Sequence, residues 1–125
     1  MEYNPYALTG KTILVTGASS GIGRAVAIEC SRLGAHVILS ARNKEKLEET
    51  LKMMEGHGHQ VIECDLSKEK EVSLLIDEVP EIQGLVNNAG TTMTVPVPFI
   101  KFNVLSDLLK VNTIAPIMIL SGLVK

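Results

Sequence analysis

The sequence predicts an α/β fold, a parallel sheet with helices on both faces. Three observations carry that prediction. Short apolar, β-branched runs at residues 11–15, 36–40, 60–64 and 84–87 alternate with longer segments of helical period. Those runs are nearly continuous in apolar character, as strands covered on both faces are. The stretches between them are long enough for crossover helices and too long for hairpin turns, which joins neighbouring strands in parallel.

The first strand, residues 11–15, runs into Thr16-Gly17-Ala18-Ser19-Ser20-Gly21-Ile22-Gly23. That glycine-rich turn opens a helix over residues 22–33, with Ala25, Val26, Ile28, Cys30 and Leu33 as its apolar set and Gly34 as its stop. Strand, glycine turn and helix together present unpartnered N–H groups and the positive end of a helix dipole, an arrangement that receives phosphate. Glycines let the backbone turn tightly and approach such a ligand without Cβ collisions.

Residues 36–40, His-Val-Ile-Leu-Ser, form the second strand, and His36 is a strand-start residue. Asn43 caps an amphipathic helix in which Leu47, Leu51 and Met54 share a face. Lys44, Glu45, Glu48, Glu49 and Lys52 form its solvated side. Gly56-His57-Gly58-His59 ends it as a turn; no cysteine or carboxylate cluster accompanies the histidines, so no metal site is expected.

A third strand at residues 60–64 precedes a helix capped by Ser67, carrying Val72, Leu75, Ile76 and Val79 and closed by Pro80. The fourth strand, residues 84–87, leads into Asn88-Ala89-Gly90 and a proline-bearing loop over residues 91–98. From about Asn103 a last helix carries Leu105, Leu108, Leu109, Val111, Ile114, Ile117 and Leu120. It is apolar on more than one face, so it expects cover from further chain or a partner subunit.

A length of 125 residues fits one domain spanning residues 1–125, and 46% hydrophobic with 21% charged residues is a globular composition. A net charge of −2, no basic run, two Phe and two Tyr give no nucleic-acid surface. Residues 1–10 lack the apolar core of a signal peptide. The apolar run at residues 114–120 is too short to span a membrane and contains Pro116, so no membrane partner is expected. Cys30 and Cys64 read as buried free thiols, which fits a reducing compartment, the cytoplasm.

In dinucleotide sites an acid about twenty residues beyond the glycines takes the 2′-hydroxyl of NAD, whereas an arginine accommodates the 2′-phosphate of NADP. No acid lies between Glu29 and Glu45, and Arg42 follows the second strand. The planar, permanently charged guanidinium suits a phosphate, with Ser40 or Asn43 adding hydrogen bonds. NADP is therefore the expected cofactor. The turn is not a P-loop, because no Lys-Ser/Thr follows the glycines, nor does it match Gly-x-Gly-x-x-Gly, because Val26 stands at the third glycine.

The turn does match Thr-Gly-x-x-x-Gly-x-Gly in full, at Thr16, Gly17, Gly21 and Gly23. Asn87-Asn88-Ala89-Gly90 follows the fourth strand, Asp65-Leu66 the third, and Asn112 stands in Lys110-Val111-Asn112-Thr113. In this order the four motifs resemble the short-chain dehydrogenase/reductase family over nearly the whole chain. The resemblance implies a Rossmann-like doubly wound sheet, here of about four strands in the order 3-2-1-4. It implies that Gly17, Ser19, Ser20, Gly21, Ile22 and Gly23 hold the pyrophosphate and adenosine ribose. Asp65 would accept from the adenine amino group with Leu66 beside the ring. Asn88, Ala89 and Gly90 would line the nicotinamide ribose. The catalytic residue implied within this chain is Asn112, whose main chain would hold a water of a proton relay at a helix irregularity.

The family's reaction moves a hydride between a nicotinamide and a carbonyl or alcohol of a small molecule. A tyrosine transfers the proton, a serine holds the substrate oxygen, and a lysine four residues after the tyrosine lowers its pKa. Tyr3 and Tyr6 precede the first strand and neither has that lysine. The expectation is thus the cofactor-binding half of an NADP-dependent oxidoreductase, with 3-oxoacyl or ketone reduction as the candidate reaction and the chain inactive by itself. Pairing with a second copy through the helix containing Asn112 is implied as well. The alternative is a non-catalytic nucleotide-binding module that docks a partner through its last helix.

Overall fold

A computed structural model describes residues 3–124. Its four parallel strands lie in the order 3-2-1-4, as the resemblance implied. They are β1 (Thr12–Thr16), β2 (His36–Ala41), β3 (Gln60–Glu63) and β4 (Gly84–Val86). Between them run α1 (Gly21–Arg32), α2 (Lys44–Lys52) and α3 (Glu69–Glu78). After β4 come a 3-10 turn at Val97–Phe99, α4 (Phe102–Leu109), a π-helical turn at Lys110–Ile114 and α5 (Ala115–Leu123). Helix α2 is capped as expected, the Asn43 side chain accepting from the Lys46 N–H at 3.1 Å.

The doubly wound build follows from strand periodicity. Successive side chains of β1 and β2 point to opposite faces, so each strand feeds two cores. Ile13, Val15, Val37 and Leu39 pack with Ala18, Ala27, Ala35 and Leu47 beneath α1 and α2. Leu14 and Ile38 pack with Ile62, Cys64, Leu66, Val72, Leu75, Val79, Val111, Ala115 and Ile119 beneath α3 and α5. Fully buried side chains such as Leu14, Leu39, Leu47 and Leu75 each contribute about 1.5–3 kcal/mol relative to exposure.

Several local expectations are corrected. The buried stripe of α1 is Gly23, Ala27 and Ser31, while Ala25 is exposed and Val26, Ile28, Cys30 and Leu33 are only half-buried. Small residues line this face because the helix sits close over the glycine turn. Cys64 is buried and Cys30 is half-buried; both are free thiols. Ser67 does not cap α3, whose cap position is Lys68 without a side-chain bond. The Ser67 hydroxyl and N–H instead donate to Asp65 Oδ1 at 2.7 and 3.0 Å, closing a turn ahead of the helix.

The apolar run at residues 114–120 is not isolated. It belongs to one helical stretch, Phe102–Leu123, whose 22 residues are long and apolar enough to cross a membrane by length and composition. In this fold a single stripe of that stretch, Val111, Ala115 and Ile119, is buried against the sheet. Leu105, Leu109, Ile114, Ile117, Met118 and Leu120 remain exposed on its other sides.

Candidate cofactor site

The carboxyl ends of β1, β2 and β4 meet where the strand order reverses, between β1's two neighbours. That is the position at which open α/β sheets bind ligands. A cleft of about 430 Å³ opens there, within the usual size of small-molecule sites. Its wall brings together Gly17, Ser19 and Ser20 from the glycine turn, Arg42 from the end of β2, Leu66, and Asn88, Ala89 and Gly90 after β4. Of the other residues singled out in the sequence, Gly21 and Ile22 are exposed, Gly23 is buried under the turn, and Asp65 and Asn112 stand outside the wall.

The turn is built by two glycines for different reasons. Gly17 has φ +64°, a left-handed conformation that a side chain disfavours. Gly23 gives room: a Cβ there would lie 2.1 Å from the Gly17 carbonyl oxygen and 2.5 Å from Asn88 Nδ2. Thr16 joins this turn to β4 through its hydroxyl, which accepts from the Asn88 and Ala89 N–H groups, both at 3.1 Å. Asn88 Nδ2 also donates to the Gly17 carbonyl at 3.3 Å. The motif at the end of β4 is therefore fastened directly to the motif at the end of β1.

On the β2 side, Ser40 is 1% exposed, lines the cleft, and its hydroxyl has no hydrogen-bond partner among the described residues. A buried polar atom without a partner costs about 1–3 kcal/mol, so one facing a cleft fits a ligand that supplies the missing bond. Arg42 is exposed at the rim and takes part in none of the ion pairs among the described residues. Together with the space over Gly17 and Gly23, these features fit the adenosine and diphosphate parts of a dinucleotide.

Asp65 stands next to this region. Burial raises its pKa, but the two bonds from Ser67 and the charges of Arg42 and Lys68 outweigh that and hold it below its ordinary value. Cys64, also in the wall, is pushed up to about 12 by burial and by the charges of Glu71 and Asp65, so it stays a neutral thiol. Asn112 lies in the π-helical turn, the expected irregularity. Both ends of its side chain bond the loop: Oδ1 accepts from the Thr91 N–H at 2.8 Å and Nδ2 donates to the Thr91 carbonyl at 2.7 Å. That pair fixes the loop after Gly90 against the last helical stretch.

Sequence reasoning missed Arg24 and Thr50. Arg24 Nε donates to Thr50 Oγ1 at 2.9 Å, and Nη2 reaches the Ser19 carbonyl at 2.7 Å. Thr50 is fully buried, and its hydroxyl donates to the Ala18 carbonyl at 2.8 Å. One signal was available: a cation within the first four residues of α1 opposes the helix dipole, so it needs partners elsewhere. Tyr3 and Tyr6 are strongly exposed and precede β1, at the opposite end of the sheet from the cleft.

Comparison with known proteins agrees with this geometry. The short chain dehydrogenase family model matches residues 11–125. A 3-oxoacyl-[acyl-carrier-protein] reductase of Rickettsia felis is 45% identical over 85 residues, covering 68% of this chain and 35% of that enzyme. A 3-ketodihydrosphingosine reductase of Mus musculus is 43% identical over 101 residues, covering 72% of this chain and 30% of its own length. Among solved structures, a 3-oxoacyl (acyl-carrier-protein) reductase from Agrobacterium tumefaciens with NADP bound superposes with a TM-score of 0.82 at 28% identity. That match covers 95% of this chain and 48% of the other. The chain thus spans about a third of the length of the curated relatives it matches. Motifs, strand order and family match agree: the chain belongs to the short-chain dehydrogenase family of oxidoreductases.

Proposed function

We propose that residues 11–125 form the NADP-binding part of an oxidoreductase that reduces the ketone of a small molecule, a 3-oxoacyl thioester or a related 3-oxo compound. One observation carries the cofactor choice. Among the described residues, the corner after β2 offers an Arg42 without an ion pair and a Ser40 hydroxyl without a hydrogen-bond partner, and no acid stands from Ser40 to Asn43. An acid there would repel a 2′-phosphate, whereas a guanidinium binds it by charge-assisted hydrogen bonds. The substrate class is supported by the relatives' names, since both curated enzymes described above are reductases of a 3-oxo or 3-keto compound.

In this reading Gly17, Ser19, Ser20, Gly21, Ile22 and Gly23 hold the diphosphate and adenosine ribose, and Arg42 the 2′-phosphate, with Ser40 and Asn43 beside it. Leu66 lies against the adenine. The Asp65 oxygen not taken by Ser67 accepts from the adenine amino group. Asn88, Ala89 and Gly90 line the nicotinamide ribose. NADPH, when bound, supplies the hydride. Asn112, whose side chain is committed to Thr91, contributes its main-chain carbonyl within the π-helical turn, where it holds a water on the proton path. The proton donor itself is not among the described residues: both tyrosines lie at the far end of the sheet. We further propose that the exposed apolar side of α4 and α5 pairs with a second copy, and that the protein works in the cytoplasm, where Cys30 and Cys64 stay reduced.

The test is titration of the chain with NADPH and NADH, followed by nicotinamide fluorescence. NADPH should bind at least about tenfold more tightly than NADH, and Arg42→Ala should erase most of that preference. Unchanged NADPH affinity in Arg42→Ala refutes the assignment of the 2′-phosphate to Arg42.

A further inference from the structure

The carbonyls of Ala18 and Ser19 are both held by side chains, one from α2 and one from α1. Thr50 Oγ1 donates to the Ala18 carbonyl at 2.8 Å, and Arg24 Nη2 donates to the Ser19 carbonyl at 2.7 Å. The two anchors are themselves joined, Arg24 Nε donating to Thr50 Oγ1 at 2.9 Å. Arg24 Nη2 also lies 3.2 Å from the Lys46 carbonyl and 3.3 Å from Glu49 Oε2, so the guanidinium is fastened to α2 at three residues. It is well covered, with 23% of its side chain exposed.

Across a trans peptide the C=O and the next N–H point in opposite directions. With the Ala18 carbonyl held by Thr50 and the Ser19 carbonyl by Arg24, the N–H groups of Ser19 and Ser20 are turned away from those side chains. Among the described residues neither N–H meets a main-chain acceptor, and both residues line the cleft. The direction of these two donors is thus fixed from behind, by side chains that do not line the cleft themselves.

We propose that Arg24, acting with Thr50, is a positioning residue that sets the affinity of the glycine turn for the diphosphate of the dinucleotide. This rests on the dinucleotide reading given above. Preset donors bind an anion without first losing the freedom of a mobile loop, and that difference appears as affinity. The same clamp explains why a cation is retained in the first turn of α1, against the helix dipole.

The experiment uses the whole chain and four variants, Arg24→Ala, Arg24→Lys, Thr50→Val and Thr50→Ser. Folding is checked by circular dichroism. Two readouts are taken: amide hydrogen exchange at Ser19 and Ser20 without ligand, and dissociation constants for NADPH and for 2′-AMP, which lacks the diphosphate. Arg24→Ala and Thr50→Val should speed exchange and weaken NADPH about tenfold, with 2′-AMP held within about twofold. Arg24→Lys keeps the charge but not the fork, and should behave like Arg24→Ala. Thr50→Ser keeps the hydroxyl and should behave like the unaltered chain. If the unaltered chain binds NADPH and Arg24→Ala and Thr50→Val bind it equally well, or exchange at the turn does not change, the clamp is overturned while the function stands. An equal loss of NADPH and 2′-AMP affinity overturns it too, since nothing specific to the diphosphate has then been lost. Failure of the unaltered chain to bind NADPH overturns the proposed function, and this inference with it.

Discussion

Replacing Gly23 by alanine probes the contact on which the cleft is built. The new Cβ would stand 2.1 Å from the Gly17 oxygen, 2.5 Å from Asn88 Nδ2 and 2.7 Å from the Gly17 carbonyl carbon. Cβ contacts in folded proteins do not fall below 3.0 Å, so α1 and the Gly17 peptide must separate by roughly 0.9 Å. Two of the three obstructing atoms are backbone, so no side chain can swing clear. Overpacking of this kind costs about 1–3 kcal/mol, and loss of the Asn88–Gly17 hydrogen bond adds about 1 kcal/mol. Alanine's better helix propensity returns about 1 kcal/mol. The net expectation is a loss of about 2 kcal/mol, or roughly 8 °C in Tm for a chain of this size. Urea and thermal unfolding followed by circular dichroism measure it. Gly21→Ala is the control: its Cβ meets nothing within 4 Å, so only the cost of φ +56° remains, about 1–2 kcal/mol. A Gly23→Ala chain as stable as the original, or more stable, would refute the close-approach argument.

Three further outcomes follow from groups already described. Ser40→Ala removes an unpartnered buried hydroxyl, so the ligand-free chain should gain up to about 1 kcal/mol in urea unfolding while NADPH binds more weakly. For Cys64 the unfolded thiol loses its proton near 9.0 and the folded one near about 12, so in that window the unfolded state binds fewer protons and stability falls as pH rises. Cys64→Ala should flatten this part of the profile, measured by urea unfolding between about pH 8 and about pH 10.5. Asn112→Ala loses both bonds to Thr91 and should cost about 1–2 kcal/mol, with faster exchange of the Thr91 amide. Asn112→Asp keeps the acceptor but sets a carboxylate oxygen against the Thr91 carbonyl, so it should be no more stable than Asn112→Ala.

The strands were legible because a doubly covered strand leaves a plain trace, a short run of large apolar residues such as Ile13-Leu14-Val15 between turn residues; their order was implied by the family resemblance, not by the runs themselves. The cleft's glycine turn was legible because Gly17 and Gly23 are demanded by backbone geometry at fixed spacing. The face of α1 was not. Periodicity looks for large apolar side chains, whereas a helix seated close over a turn buries small ones, here Gly23, Ala27 and Ser31. Ser67 carries a cap signal, but Asp65 two residues earlier competes for the same hydroxyl and wins. Arg24 and Thr50 are 26 residues apart, inside sequences that read as an ordinary helix start and a solvated charged helix. Only the packing of α1 on α2 puts them together.

The fastening of Thr16 and Gly17 to Asn88 and Ala89 has a kinetic consequence. These bonds join residues 71 to 73 positions apart, whereas β1 and β2 pair across a single crossover helix. Contacts between distant residues bear the larger loop-closure entropy and form later in folding. The βαβ unit of β1, α1 and β2 can therefore assemble first and present a cleft with one wall. The second wall arrives only when β4 docks beside β1. A nucleotide that touches both walls has its full grip only after that last step, so its main effect on kinetics falls on unfolding, by resisting the departure of β4.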